Sequence, residues 1–399
     1  MSSILRFFVL LILFFISQQG LADSPPLQWA PAAERWHPGA PQVRWAPLEE
    51  YQAIERDFFL LQFDHARSQL NKVKSEYPHD PSPIFFESSL MGWECQITQC
   101  SPEKRMRILT LLEEGVELVQ TLHKSYKSDP RLLTLSGYLY MRLANVYGDI
   151  HQWFKSVRAA KRGRYYLEQA IWKDNKEDSP YLPLGAFYYF ADNLPWYGKS
   201  VGFFLGLNGD RQKGLEMMKR TASSSGVFQN DALFFLSVIY LSFEKEYNEA
   251  WKYNEELRKR FPKHPQFLLD QAFLSFKLGR REMALRLYDE LILYCHTQKE
   301  MPCHPHYLFR SWLGLGEIEM ERGEWQKALN LFEKATPYRK ITFYEPVARW
   351  HYLRGECYRH LGRDSEALKA YEEALVLEEY IPSQAELIHY HIEKWRSKN

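Results

Sequence analysis

From Pro47 onward, apolar residues return at every third or fourth position, the spacing of one face of an α-helix. The pattern predicts an all-α chain. In the C-terminal half the helices also fall into a register. The small residues Ala250, Ala284, Ala328 and Ala367 stand 34, 44 and 39 apart. Those gaps read as a period of 34 with insertions of ten and five, the longer one near "CHTQKEMPCH". Local text recurs with the alanines: "LGRREMALRLYDEL" (278–291), "RGEWQKALNLFEKA" (322–335) and "LGRDSEALKAYEEA" (361–374). Each has a glycine, an alanine five later and an aromatic four after that. Gly279, Gly323 and Gly362 are placed to turn the chain between two helices, where a residue without Cβ accepts a left-handed backbone.

A 34-residue period carrying this text resembles the tetratricopeptide repeat, a helix-turn-helix unit. Trp312, Gly316, Gly355 and Tyr358 add to the likeness. Ala250 with Pro262, and Ala66 with Pro78, repeat the family's helix-ending proline twelve residues on. The resemblance implies an α-solenoid, a right-handed superhelix of stacked helix pairs. Together with composition, it divides the chain into a leader (1–22), a Pro/Trp-rich strap (23–47), N-terminal repeat-like helices (48–129), a central irregular helical region (130–230), four C-terminal units (231–380) and a capping helix (381–399). The central text, "YLPLGAFYYFADNLPWYGKSVGFFLGLNGDRQKGLEMMKRTASSSG", resembles exported bacterial repeat proteins of unknown role. More distantly it resembles eukaryotic repeat proteins of the inclusion-body-clearance type.

The N-terminus reads as a secretory leader. Arg6 precedes the apolar run Phe7 to Ile16, and Gly20 and Ala22 supply small residues before a cut ahead of Asp23. Ten apolar residues are too few to span a bilayer. No Cys follows the cut, which argues against a lipoprotein. The expectation is an exported chain, periplasmic or secreted. Removing residues 1–22 takes away Arg6 and no acid, leaving 50 basic and 50 acidic residues. That balance gives no global attraction to nucleic acid, though a local patch stays open. In the strap, Trp29, Trp36 and Trp45 each stand two residues before a proline and are read as packing onto the first helices.

Five cysteines suggest two short disulfide loops, Cys95 with Cys100 and Cys295 with Cys303, in an oxidising compartment. Cys357 sits in a helical pattern as a small buried residue. Cys295, His296, Cys303, His304 and His306 also form a cluster whose thiolates and imidazoles suit zinc or copper. A metal-binding or redox-responsive protein centred there is the alternative reading.

"GDRQKGLE" (209–216) has the front half of a phosphate-binding loop. Leu215 and Glu216 stand where Lys and Ser or Thr are required, so the stretch reads as a helix junction in which Asp210 caps the next helix. The chain has no H-E-x-x-H, G-x-S-x-G or C-x-x-C. A cleft in the central region would have Asp192, Asn193, Trp196, Tyr197 and Asp210, and no arrangement of these implies a reaction. The sequence therefore points to a non-enzymatic protein without cofactor or metal, binding a protein or peptide rather than nucleic acid or a small molecule.

In the family, partner contacts come from set positions of each first helix. Transferred here, with the recurrent alanine as the twentieth position, they imply a groove whose early part is apolar (Phe235, Phe273, Phe276). Its late part is charged and aromatic (Arg310, Glu317, Arg349, Tyr352, Glu356, Arg359). Two uses of the arginines stay open. They pair with a partner's acids, or they pair with Glu317, Glu321 and Glu356 of the chain itself.

Overall fold

The computed structural model describes residues 43–97, 100–193, 208–297, 303–341, 344–378 and 381–396. The leader, Trp29 and Trp36, and the central residues 194–207 with Trp196 and Tyr197 lie outside them. The described residues are helical, with no strand among them. They form two compact units, one running up to Ile239 and one from Tyr240 onward.

In the first unit the helices are α1 (Leu48–Phe59), α2 (Phe63–Glu76), α3 (Pro83–Ile97), α4 (Pro102–Leu122), α5 (Pro130–Asp149), α6 (Trp153–Lys173), α7 (Tyr181–Asp192), α8 (Arg211–Ala222) and α9 (Gln229–Ile239). The second unit opens with a π-helical turn, Tyr240–Glu244. It continues with α10 (Tyr247–Arg260), α11 (Pro265–Lys277), α12 (Arg281–Thr297), α13 (Pro305–Glu321), α14 (Trp325–Ala335), α15 (Tyr344–His360), α16 (Asp364–Leu375) and α17 (Pro382–Arg396). Within each unit, each helix packs on the next. In the second unit α11 also meets α13, and α13 meets α15, so helix pairs stack as in a solenoid.

One turn closes these pairs. Gly279, Gly323 and Gly362 have φ of +74°, +76° and +70°. The following residue donates its N–H back to a carbonyl five positions earlier: Arg280 to Ser275 at 2.8 Å, Glu324 to Glu319 at 3.0 Å, Arg363 to Tyr358 at 2.9 Å. The glycine itself donates to the carbonyl three positions back, in Phe276, Met320 and Arg359. This pair of hydrogen bonds satisfies carbonyls that a helix end otherwise leaves open. The same hydrogen-bond pair occurs without glycine at Leu61 (φ 59°) and His151 (φ 60°), through Gln62 to Asp57 and Gln152 to Tyr147. Five residues after each turn stands the small residue of the second helix. Ala66, Ala284 and Ala328 are fully buried there. After His151 that place is taken by Ser156, whose hydroxyl donates to the Ala144 carbonyl at 2.7 Å. The sequence shows no repeat signature at 130–173, yet its two long helices are joined by the same reversal.

Helix spacing depends on glycines of another kind. A Cβ on Gly316 would stand 2.1 Å from Cε1 of Phe332, and one on Gly355 would stand 2.5 Å from Tyr371. These first helices therefore lie against the aromatic of their own second helix. Trp350, fully buried, donates its indole N–H to the Phe332 carbonyl at 2.9 Å and locks the next helix over the pair. In the first unit, a Cβ on Gly214 would meet the Gly185 carbonyl at 2.6 Å, and one on Gly209 would meet the Asp192 backbone nitrogen at 1.9 Å. The two glycines of "GDRQKGLE" serve close approach of α7 and α8, and Asp210 accepts from the Lys213 N–H at 3.0 Å as the cap of α8.

The described end of the strap is tied down. Asp80 accepts from the Ala46 N–H at 2.7 Å and from the Tyr51 hydroxyl at 2.9 Å. Trp45 donates to Asp129 at 3.2 Å under the guanidinium of Arg131.

Replacing Gly316 by Ala should lower stability by about 1–3 kcal/mol, because the Phe332 ring has to move. Replacing exposed His151 by Gly should raise stability by up to about 1 kcal/mol by relieving its left-handed backbone. Urea midpoints measure both. A neutral Gly316→Ala would remove the Gly316–Phe332 contact as the determinant of helix spacing.

Candidate functional site

The first helices of the second unit, α11, α13 and α15, carry all but one of the predicted groove residues. The remaining one, Phe235, is half-buried on α9 in the first unit. Phe273 and Phe276 sit at the end of α11. Phe276 is buried and Phe273 half-buried, with the Lys277 ammonium 5.2 and 5.4 Å from their ring centres.

The charged part divides sharply. Arg349 and Glu317 form a two-pronged pair, Nε to Oε1 at 2.7 Å and Nη2 to Oε2 at 2.9 Å, joining α15 to α13. Such a fork fixes both side chains more firmly than a single contact. Glu356 is likewise committed. It accepts from Arg359 at 2.8 Å and from the Tyr371 hydroxyl of α16, and His391 of α17 stands 3.8 Å away. Burial presses the Glu356 carboxyl upward, and the hydrogen bonds from Arg359 and Tyr371 outweigh it, so it titrates below its ordinary value. Tyr352 lies beside this knot, 6.4 Å from the Tyr371 ring, and burial followed by the Glu356 charge raises its hydroxyl pKa. Glu321 pairs with Arg281 at 2.9 Å rather than with a groove arginine.

Arg310 differs from Arg349 and Arg359. It is half-buried on α13 and makes no hydrogen bond or ion pair among the described residues. Its charge acts at longer range on Asp270, Tyr288 and His306. Asp270, on α11, is 5% exposed and accepts one hydrogen bond from Gln266 at 2.8 Å. Burial pushes its carboxyl up to about 6, against the opposing pull of Gln266 and Arg310. Burial, then Arg310 and His304, hold the His306 imidazole well below its usual range. The groups that feel the Arg310 charge are therefore a buried acid that holds its proton only below about pH 6, a neutral imidazole and a phenol. Sequence reasoning missed Asp270 and Tyr288, and it named His306 only as a candidate metal ligand. The available signal for the first was an acid inside the apolar run "FLLDQAFL" (267–274).

The cysteine and histidine cluster is spent on structure. Cys295 bonds to Cys303, and Cys95 to Cys100. His304 caps α13 by accepting from the His306 N–H at 3.1 Å, and His296 is exposed at the end of α12. No group of three or more His, Cys, Asp or Glu suited to a metal occurs among the described residues. Burial pushes the free thiol of Cys357 up to about 12, so it stays protonated at neutral pH. The polar residues of the central region are likewise engaged: Asp192 accepts from the Arg211 N–H at 3.2 Å, and Asn193 donates to the Tyr189 carbonyl at 3.0 Å. No helix of the described residues is long and apolar enough to cross a membrane.

Residues 307–376 match the family model described as Tetratricopeptide repeat, so α13 to α16 carry that repeat. Among solved structures, the chain is similar to a chain of the APC/C hetero-tetramer Cut9-Hcn1. The identity there is 11% and the TM-score 0.41, with 79% of this chain and 56% of that one covered. This chain thus spans little more than half of that protein's length. Yeast Tom70 shows 12% identity and a TM-score of 0.42, covering 87% of this chain and 83% of that one. Human IFIT1, as a dimer with m7Gppp-AAAA, shows 14% identity and a TM-score of 0.44, covering 82% and 69%.

Asp270 gives a pH signature. An unfolded Asp titrates near 4 and the folded one at about 6, so between those values the folded chain binds the extra proton. Its contribution to stability is complete below pH 4 and is lost as pH rises through 6. Asp270→Asn should abolish a decline of about 2 kcal/mol between pH 4 and 7. Parallel curves for parent and variant would show that Asp270 is not a raised acid.

Proposed function

We propose that this chain, with tetratricopeptide repeats over 307–376, is a non-enzymatic scaffold that holds an extended segment of a partner protein on α11, α13 and α15. One observation carries the reading. Arg310 is a half-buried cation with no ion pair among the described residues, while Arg349 and Arg359 are tied to Glu317 and Glu356. A half-buried guanidinium with no hydrogen-bonded carboxylate among the described residues gains from one supplied from outside. Half-buried Phe273, one pair earlier in the stack, offers apolar and cation-covered surface to neighbouring side chains of the same segment, with buried Phe276 behind it. Binding of this kind needs positioned groups and no covalent step.

The place of action we infer is the cell envelope. The leader pattern of residues 1–22 supports it, and two short disulfides fit an oxidising compartment. Fractionation with N-terminal sequencing should find the chain outside the cytoplasm beginning at Asp23. A cytoplasmic chain beginning at Met1 would sink that part.

Capture from envelope extract tests the groove. A charge-assisted contact at Arg310 is worth about 1.5–3 kcal/mol, so Arg310→Ala should weaken capture by roughly ten- to hundredfold. Equal capture by parent and Arg310→Ala would overturn the assignment of this surface.

A further inference from the structure

The second helix of the enlarged pair, α6, has an outer face that combines exposed cations with exposed aromatics. Its 21 residues hold six basic side chains (Lys155, Arg158, Lys161, Arg162, Arg164, Lys173) and one acid, Glu168, in a chain whose overall formal charge is +1. At about 100° per residue, Phe154, Arg158, Lys161, Tyr165 and Trp172 fall in one strip about 60° wide. Lys155, Arg162 and Lys173 flank it along one side. Ala159, Gly163, Leu167 and Ala170 lie opposite and are buried.

The three aromatics of the strip stand in water: Phe154 is 95% exposed, Trp172 72% and Tyr165 57%. Arg158 and Lys161 make no hydrogen bond or ion pair among the described residues. The single acid, Glu168, is held by Arg164 at 2.8 Å and by the Tyr188 hydroxyl at 2.8 Å. Acids just beyond the helix are also engaged: Asp178 with Arg220, and Glu177 with Ser179. An ordinary solvated helix mixes signs instead. On α10, for example, Lys252, Lys259 and Arg260 pair with Glu249, Glu255 and Glu256.

We propose that this face of α6 docks onto an anionic phospholipid bilayer. Lipid phosphates complement unpaired cations, and aromatic side chains settle at the headgroup boundary. Phe154 and Trp172 are eighteen residues apart, so the strip is straight for about 27 Å, which suits a flat surface. Successive bases of a single-stranded nucleic acid stack on aromatics set close together. Here the aromatics are about 16 and 10 Å apart along the axis. The helix would lie on the surface without crossing it.

Co-sedimentation of the full chain, as purified from the cells that make it, tests this. The vesicles are phosphatidylcholine alone or mixed with phosphatidylglycerol, at low and high salt. Pelleting is expected with the anionic vesicles only, and weaker at high salt. Each cation near the surface contributes about fivefold to partitioning, so Arg158→Gln with Lys161→Gln should cut it by about 25-fold. Phe154→Ser with Trp172→Ser should also cut it at least tenfold and leave the remainder salt-sensitive. All four positions are exposed, and circular dichroism checks that the helices persist. Equal pelleting with neutral vesicles, pelleting unchanged in both double variants, or no pelleting at all would overturn the proposal. So would tighter binding of a single-stranded oligonucleotide than of vesicles.

Discussion

The left-handed reversal at the end of a first helix is the constraint on which the rest of the structure depends. At Gly279, Gly323 and Gly362 it returns the chain in three residues and satisfies two backbone carbonyls of the helix it ends. The second helix then runs back so close that only a small residue fits five positions on. That closeness puts Phe332 against Gly316 and Tyr371 against Gly355. A wider turn would let the pairs splay, and the aromatics would lose their contacts together. Leu61 and His151 hold the same conformation without glycine, at a local cost of about 1–2 kcal/mol each that the surrounding packing offsets.

Stacking then fixes the chemistry of the first-helix surface. Because α13 and α15 are neighbours, Glu317 and Arg349 come within reach and neutralise one another across the step. Glu356 is absorbed by Arg359 and by Tyr371 of its own pair. These contacts leave a surface that is charged in composition and largely self-satisfied in fact. Arg310 is the exception, since its neighbours are a buried acid, an imidazole and a phenol rather than an open carboxylate. The imbalance is local and modest, the kind of feature that selects a partner group without threatening the fold.

The two disulfides and the caps place the remaining polar groups. Cys295 and Cys303 bridge the ends of the insertion, and His304 caps the helix that follows it. Three of the residues that look in sequence like a ligand set, Cys295, Cys303 and His304, are thereby engaged in a disulfide and a helix cap. On α6 the opposite holds: charge and aromatic surface are left over once the helix has packed on α5.

The sequence by itself determined the helical class, the repeat register of the C-terminal half and the glycine turns. Each follows from short-range rules: a 3.6-residue period, a residue able to take positive φ, and a small side chain at a fixed distance from it. It also showed that "GDRQKGLE" lacks the Lys and hydroxyl of a phosphate loop. Only the tertiary structure decided the rest. Which arginines are spent depends on distances across helices 32 residues apart in the chain, as for Arg349 and Glu317. The raised acid Asp270 depends on burial that no window of text reveals. The reversal at His151 is hidden in the sequence because no glycine marks it and Ser156 stands where the recurrent alanine would. Tertiary packing imposes that conformation on a side chain that does not itself favour it.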